Sequence, residues 1–151
     1  MASVHDVAAY ILTKHGAMSA MKLQKLCYYA QAWSLAWDQA ELFPEDFQAW
    51  ANGPVARDLY NVHRGQFSVT AWPQGNPDNL TDEQRTSVDA VLDAYGKHTA
   101  QQLSELTHRE QPWRTARGSL PEMVRSDAVI SKESMQDFYA SLITRDDAED
   151  V

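Results

Sequence analysis

The segment from Ser19 to Trp37 constrains this chain more than any other. Leu23, Leu26, Cys27, Ala30, Ser34 and Trp37 recur at helical spacing and form one stripe. Tyr28, Tyr29, Ala32, Leu35 and Ala36 occupy the opposite side, together with Lys25. A helix that is apolar nearly all round is normally buried on both sides. The expectation is a central helix around which the rest of the chain is wrapped. The alternative is that a partner protein covers its second face.

Other helices are marked by their ends. Ser3 with Asp6 opens a helix through Val4, Val7, Ala8, Ile11 and Leu12, and Gly16 stops it. Thr81 with Gln84 and Thr99 with Gln102 are capping boxes. The first opens a helix with Val88, Val91, Leu92 and Tyr95, and the second a helix with Leu103 and Leu106. Pro112-Trp113 begins a short helix ended by Gly118. Ser131 caps a last one with Met135, Phe138, Tyr139, Leu142 and Ile143. Phe47–Trp50 alternates like a short half-buried strand. Asn52-Gly53-Pro54 reads as a turn with Pro54 as the first residue of a helix through Val55, Leu59, Val62 and His63. Phe67–Trp72 is a second strand candidate expected to pair with the first, and 73–79 is a loop. The fold expected is mainly α: a compact single-domain bundle of six or seven helices with a short two-stranded β-hairpin. It spans residues 1–145, followed by an acidic, frayed tail at 146–151.

Composition narrows the function classes. With 151 residues the chain is long enough for one self-sufficient domain. Lys and Arg number 13 against 21 Asp and Glu, a formal charge of -8, which opposes a nucleic-acid coat or a polybasic membrane binder. Cys27, the single cysteine, rules out an intramolecular disulfide and reads as a small core hydrophobe. The near-apolar stretches fall short of a membrane span, and Met1–Asp6 has no secretory pattern, so a soluble cytoplasmic protein is expected.

Motifs for chemistry are sparse. His5, His15, His63, His98 and His108 lack metal-ligand spacing, although a zinc site from distant positions stays open. No nucleophile elbow or phosphate loop occurs. Neither catalysis nor a cofactor is expected, and the enzyme alternative would have to use His108 or His63 with nearby arginines. Arg109, Arg114, Arg117 and Arg125 form a basic stretch around Trp113, and Lys22 and Lys25 on the central helix with Arg57 and Arg64 on or beside the next would extend it to a basic patch if the fold brings them together. This stretch is either a solvated face or a docking site for an acidic partner. Trp72 and Trp113 sit beside prolines at element edges, where an exposed aromatic would be an interface anchor.

Three runs, in order, carry a resemblance. Lys22, Leu23, Gln24, Lys25, Leu26, Tyr28, Tyr29 and Gln31 are the first. Phe47, Ala49, Trp50, Gly53, Pro54 and Val55, followed by Leu59 and Tyr60, are the second. Thr107, His108, Pro112 and Trp113 are the third. Together with the closing helix they resemble the Panacea-domain family of SocA-like antitoxins, which includes phage-associated, GepA-like proteins. The resemblance covers about Val4 to Leu142. Cys27 stands where the family commonly has Leu, and Phe67–Leu80 fits no family pattern.

The resemblance implies an antitoxin that neutralises a cognate protein toxin by direct binding. The toxin would be the product of an adjacent gene. Delivery of the toxin to a bacterial AAA+ protease is a further implied role. Two alternatives use the same scaffold: a phage or prophage accessory protein that binds another host protein, and a DNA-binding regulatory module with a helix-turn-helix around Gly16. The signature residues then serve the scaffold, and partner specificity is expected in Phe67–Leu80, in Arg109–Arg125 and in the tail. The candidate contact residues are Trp72, Arg109, Arg114, Arg117 and Arg125.

Overall fold

Ser3 fixes the start of the first helix. Its hydroxyl accepts from the Asp6 amide at 3.3 Å, and the Asp6 carboxylate accepts from the Ser3 amide at 2.9 Å. This reciprocal cap opens α1 (Val4–His15), and Gly16, at φ 95°, closes it. The computed structural model describes residues 2–149, with side chains from 2 to 143.

A two-residue strand β1 (Met18–Ser19) leads into α2 (Ala20–Asp38), capped by the Ser19 hydroxyl. Then come β2 (Phe47–Trp50), β3 (Gly53–Val55), α3 (Arg57–His63) and β4 (Ser68–Val69). After a single 3-10 turn (Pro77–Asn79) follow α4 (Asp82–Tyr95), α5 (Ala100–His108) and α6 (Gln111–Arg117). β5 (Val129–Ile130) and α7 (Lys132–Glu149) complete the described chain. Thr81 and Thr99 cap α4 and α5 with full capping boxes, Pro112 lies in the first turn of α6, and the Ser131 hydroxyl caps α7.

α2 is the axis of the fold. It packs against α1, α4, α5 and α7, and Leu23 through Ala32 are all buried. Both its faces are therefore covered by this chain itself. Cys27 is fully buried there, and burial pushes its thiol up. α7 is pinned at its start by Lys132, whose ammonium donates to the Pro44 carbonyl at 2.7 Å and pairs with Glu41 and Asp46. α7 extends to Glu149, so residues 146–149 have helical backbone. The last two residues of the predicted tail, Asp150 and Val151, lie outside the described residues, as do the side chains of the rest.

The strands correct the expected pairing. β2 pairs not with Phe67–Trp72 but with β3 and β5, in an antiparallel three-stranded sheet ordered β3-β2-β5. β4 pairs instead with β1. Pro54 consequently belongs to a strand, and α3 begins only at Arg57. The reason is geometric. Trp50 pairs with Gly53 across a two-residue turn, and Pro54 lies opposite Ala49 on an edge strand. The Ala49 amide donates to the Ala128 carbonyl at 2.8 Å and its carbonyl accepts from Arg117 at 2.8 Å, so both groups point away from β3. No ladder bond is asked of Pro54, and its missing N–H costs nothing.

Candidate functional site

The polar side chains of α2 act as internal ties. The Gln24 amide is fully buried; it donates to the Ala56 carbonyl at 3.1 Å and accepts from the Ala56 amide at 2.8 Å. The same Nε2 lies 3.0 Å from His63 Nε2, which places the imidazole in the acceptor tautomer. Burial holds His63 below its ordinary value, and the neighbouring Lys25 charge adds to this. Gln31 clasps the segment after α2 in the same way, donating to the Phe43 carbonyl at 2.7 Å and accepting from the Leu42 amide at 2.7 Å. Tyr29 and Tyr139 both donate to the Glu110 carboxylate, at 2.7 and 2.8 Å. Burial raises the Glu110 pKa, and the two phenol hydrogen bonds oppose the rise. Lys22 caps the end of α4 by donating to the Gly96 carbonyl at 2.6 Å.

Lys25 is different. It is 1 % exposed, and its ammonium has no hydrogen-bond partner. Burial alone pushes it down to about 7. Its stem runs beneath the turn that joins β2 to β3. Leu23, Leu26, Tyr28, Val55, Thr107 and Pro112 are buried as well, and Tyr60 packs edge-on against Trp50 with centroids 5.0 Å apart. The signature residues thus form one internal network that seats the hairpin and α6 on α2.

The basic stretch divides in two. Arg109, Arg114 and Arg125 are exposed. Arg117 and Trp72 are not: they are 4 % exposed each, and both leave the set of contact residues expected from sequence. The Arg117 guanidinium lies 4.8 Å from the centroid of the Trp113 ring. It donates to the carbonyls of Ala49, Pro121, Glu122 and Val124, so it binds the α6–β5 loop rather than a partner. The Trp72 indole donates to His5 Nδ1 at 3.1 Å, within the contact between α1 and the segment after β4. That segment is docked through Asp6, which accepts from the Asn76 amide at 2.8 Å and from the Asn79 side chain at 3.3 Å. Gly75 passes so close that a Cβ there would stand 1.9 Å from the His5 carbonyl oxygen. Much of Phe67–Leu80 is therefore tied to α1.

Two clefts flank the α6–β5 loop. One, of about 430 Å³, is walled by His108, Arg109, Trp113, Arg114, Leu120 and Glu122. The other, of about 480 Å³, is walled by Met21, Trp50, Arg57, Arg125 and Asp127. Their floors are joined, since the Trp113 indole donates to the Trp50 carbonyl at 2.8 Å. His108 stacks on Trp113 with centroids 4.1 Å apart, and burial holds its imidazole below the ordinary value. Along the intervening loop Met123 is 85 % exposed, Leu120 and Val124 are exposed too, and so is Val129 at the start of β5. Sequence reading missed these apolar residues because they follow neither helical nor strand periodicity. The one signal for them was apolar side chains in a stretch broken by Gly118 and Pro121. Among the described residues no three His, Cys, Asp or Glu side chains are grouped to hold a metal, and no helix is long and apolar enough to cross a membrane.

Fold and site together define a mainly helical domain built on one buried axis, with an arginine-flanked loop exposed beside its small sheet. The family model of the SocA-like antitoxin Panacea domain matches residues 23–114, from the axis through the first half of α6, and the chain belongs to that family. No curated protein and no solved structure matches it.

Proposed function

We propose that this protein is the antitoxin of a toxin–antitoxin pair and neutralises its cognate toxin by direct protein–protein binding. The observation that carries this reading is the family match over 23–114, since the matched segment contains α2, the hairpin and the Thr107–Trp113 run. The family is one of antitoxins, and an antitoxin implies a protein partner. The toxin is the product of an adjacent gene, and the pair acts in the cytoplasm. The antitoxin acts by binding, without chemistry or a cofactor of its own, and delivers the bound toxin to an AAA+ protease where one is engaged. In support, the clefts hold arginines and tryptophans, groups that dominate the energetics of protein interfaces.

The test is expression of each neighbouring open reading frame alone and together with this chain. One neighbour is expected to arrest growth alone and to be tolerated on co-expression, with the two proteins co-purifying. Absence of toxicity from both neighbours overturns the reading.

A further inference from the structure

We infer that the α6–β5 loop, with the arginine-walled cleft on each side of it, is the surface that docks the toxin, and that the docked segment of the toxin is acidic with an apolar tip. The inference rests on the antitoxin reading above and adds to it a place and a chemistry.

The loop is a ridge. Residues 118, 120 and 122 wall one cleft, and residues 125, 126 and 127 wall the other, so Met123 and Val124 lie on the crest between them. Met123 is 85 % exposed, and Leu120, Val124 and Val129 are exposed close to it in the chain, so the apolar residues here are grouped rather than scattered singly. Nor is the ridge loose at its base. Arg117 reaches beneath it and donates to three of its carbonyls, those of Pro121, Glu122 and Val124. Such a ridge is ordered before binding, which lowers the entropy lost on association. Methionine supplies an adaptable contact at its crest.

Charge selects the occupant. The walls of the two clefts hold five arginines against two carboxylates, Glu122 and Asp127. This occurs on a chain whose formal charge is -8. The exposed guanidiniums of Arg57, Arg109, Arg114 and Arg125 present planar donors suited to carboxylates on both flanks of the crest. An anionic protein segment fits both features at once: its carboxylates enter the clefts while an apolar side chain rests against Met123. A nucleic-acid backbone fits less well. It would leave the apolar crest unused and would meet the acidic remainder of the chain.

The experiment measures binding of the toxic neighbour product by titration calorimetry. It compares the full chain with the double variants Arg109→Glu/Arg114→Glu and Arg57→Glu/Arg125→Glu, the single variant Met123→Asp, and the control Lys14→Glu/Lys97→Glu. All these side chains are exposed, and circular dichroism checks that each variant folds. Each arginine pair is expected to weaken binding by about 100-fold or more, and Met123→Asp by about 10-fold. The control is expected to stay within about 2-fold, and wild-type affinity to fall as salt rises. Toxin binding unchanged in all three face variants overturns the surface while the antitoxin reading stands. Self-association of the chain, or binding of a mixed-sequence DNA or RNA duplex, that is lost in the arginine variants while toxin binding persists assigns the ridge to another occupant and overturns the inference. If neither neighbour product binds the wild-type chain, the antitoxin reading fails and the inference fails with it.

Discussion

The backbone of Gly53 lies against the end of the Lys25 side chain so closely that a Cβ on residue 53 would stand 2.7 Å from Lys25 Cε. The same Cβ would stand 3.0 Å from Thr107 Oγ1, and Gly53 itself has φ 117°. A strand residue, a helix residue from α2 and another from α5 meet at one point, and only a glycine fits it. Gly53→Ala is expected to cost about 1–3 kcal/mol, from the left-handed backbone and the overlap together. Denaturant unfolding of the single variants and of Gly53→Ala in a Lys25→Ala background measures the coupling. The part of the cost due to overlap with Lys25 should vanish in the double variant, while the backbone part and the close approach to Thr107 Oγ1 remain.

Lys25 makes stability rise with pH. Its folded pKa of about 7 lies below the unfolded value of about 10.4, so between them the unfolded chain binds more protons. The penalty for burying the ammonium is full below pH 7 and is relieved as pH rises toward about 10. His63 on α3 and His108 on α5 are the titratable groups that feel its charge, and burial is the larger cause that holds each imidazole below its ordinary value. Lys25→Met is expected to be more stable than wild type at pH 6 by on the order of 1–4 kcal/mol, with the two curves converging toward pH 10. Thermal melts across that range check it, and parallel curves for the two proteins would refute it.

Asp6 also makes stability rise with pH, but at acid pH. Burial raises its carboxyl, but hydrogen bonds from Asn76, Ser3 and Asn79 prevail and hold it below the ordinary value. Its contribution is therefore complete above the unfolded pKa of about 3.9 and is lost as pH falls through the lower folded value. Asp6→Asn is expected to destabilise by about 1–2 kcal/mol at pH 7, through the cap and the docked 73–80 segment, and by progressively less below pH 4. Urea midpoints at both pH values measure the difference.

Removal of the Arg117 guanidinium takes a donor from four carbonyls, those of Ala49, Pro121, Glu122 and Val124, of which Pro121 keeps the Val124 amide. Arg117→Ala is expected to cost about 2–4 kcal/mol and to raise amide exchange across residues 119–127 before the rest of the chain opens. Arg117→Lys, with one compact ammonium in place of the fork, falls between the two. Hydrogen-exchange mass spectrometry resolves the loop from the core, and uniform exchange in the alanine variant would contradict the stapling role.

Helix ends were legible because capping is local. Ser3 with Asp6, Thr81 with Gln84 and Thr99 with Gln102 each lie within four residues of one another, and each opens the helix that its pattern specifies. The central position of α2 followed from its apolar periphery, which no solvent-facing helix would carry. Strand pairing was not legible. Phe67–Trp72 and Phe47–Trp50 alternate alike, and nothing local states that Ser68 meets Ser19 while Phe47 meets Ile130, far along the chain. Trp72 and Arg117 were misread for a related reason. An indole beside a proline and an arginine in a basic run look like surface until distant groups arrive, His5 for the one and the Ala49 carbonyl for the other.

The amino-acid sequence alone therefore determined the class of fold, the helix starts that carry capping boxes, the buried axis and the family, all of which rest on short-range periodicity, capping and ordered motifs. Only the tertiary structure decided which basic and aromatic residues face solvent. Exposure depends on what folds back over a side chain from dozens of residues away, and that closure moved Arg117 inside while leaving Arg109, Arg114 and Arg125 on either side of an apolar crest.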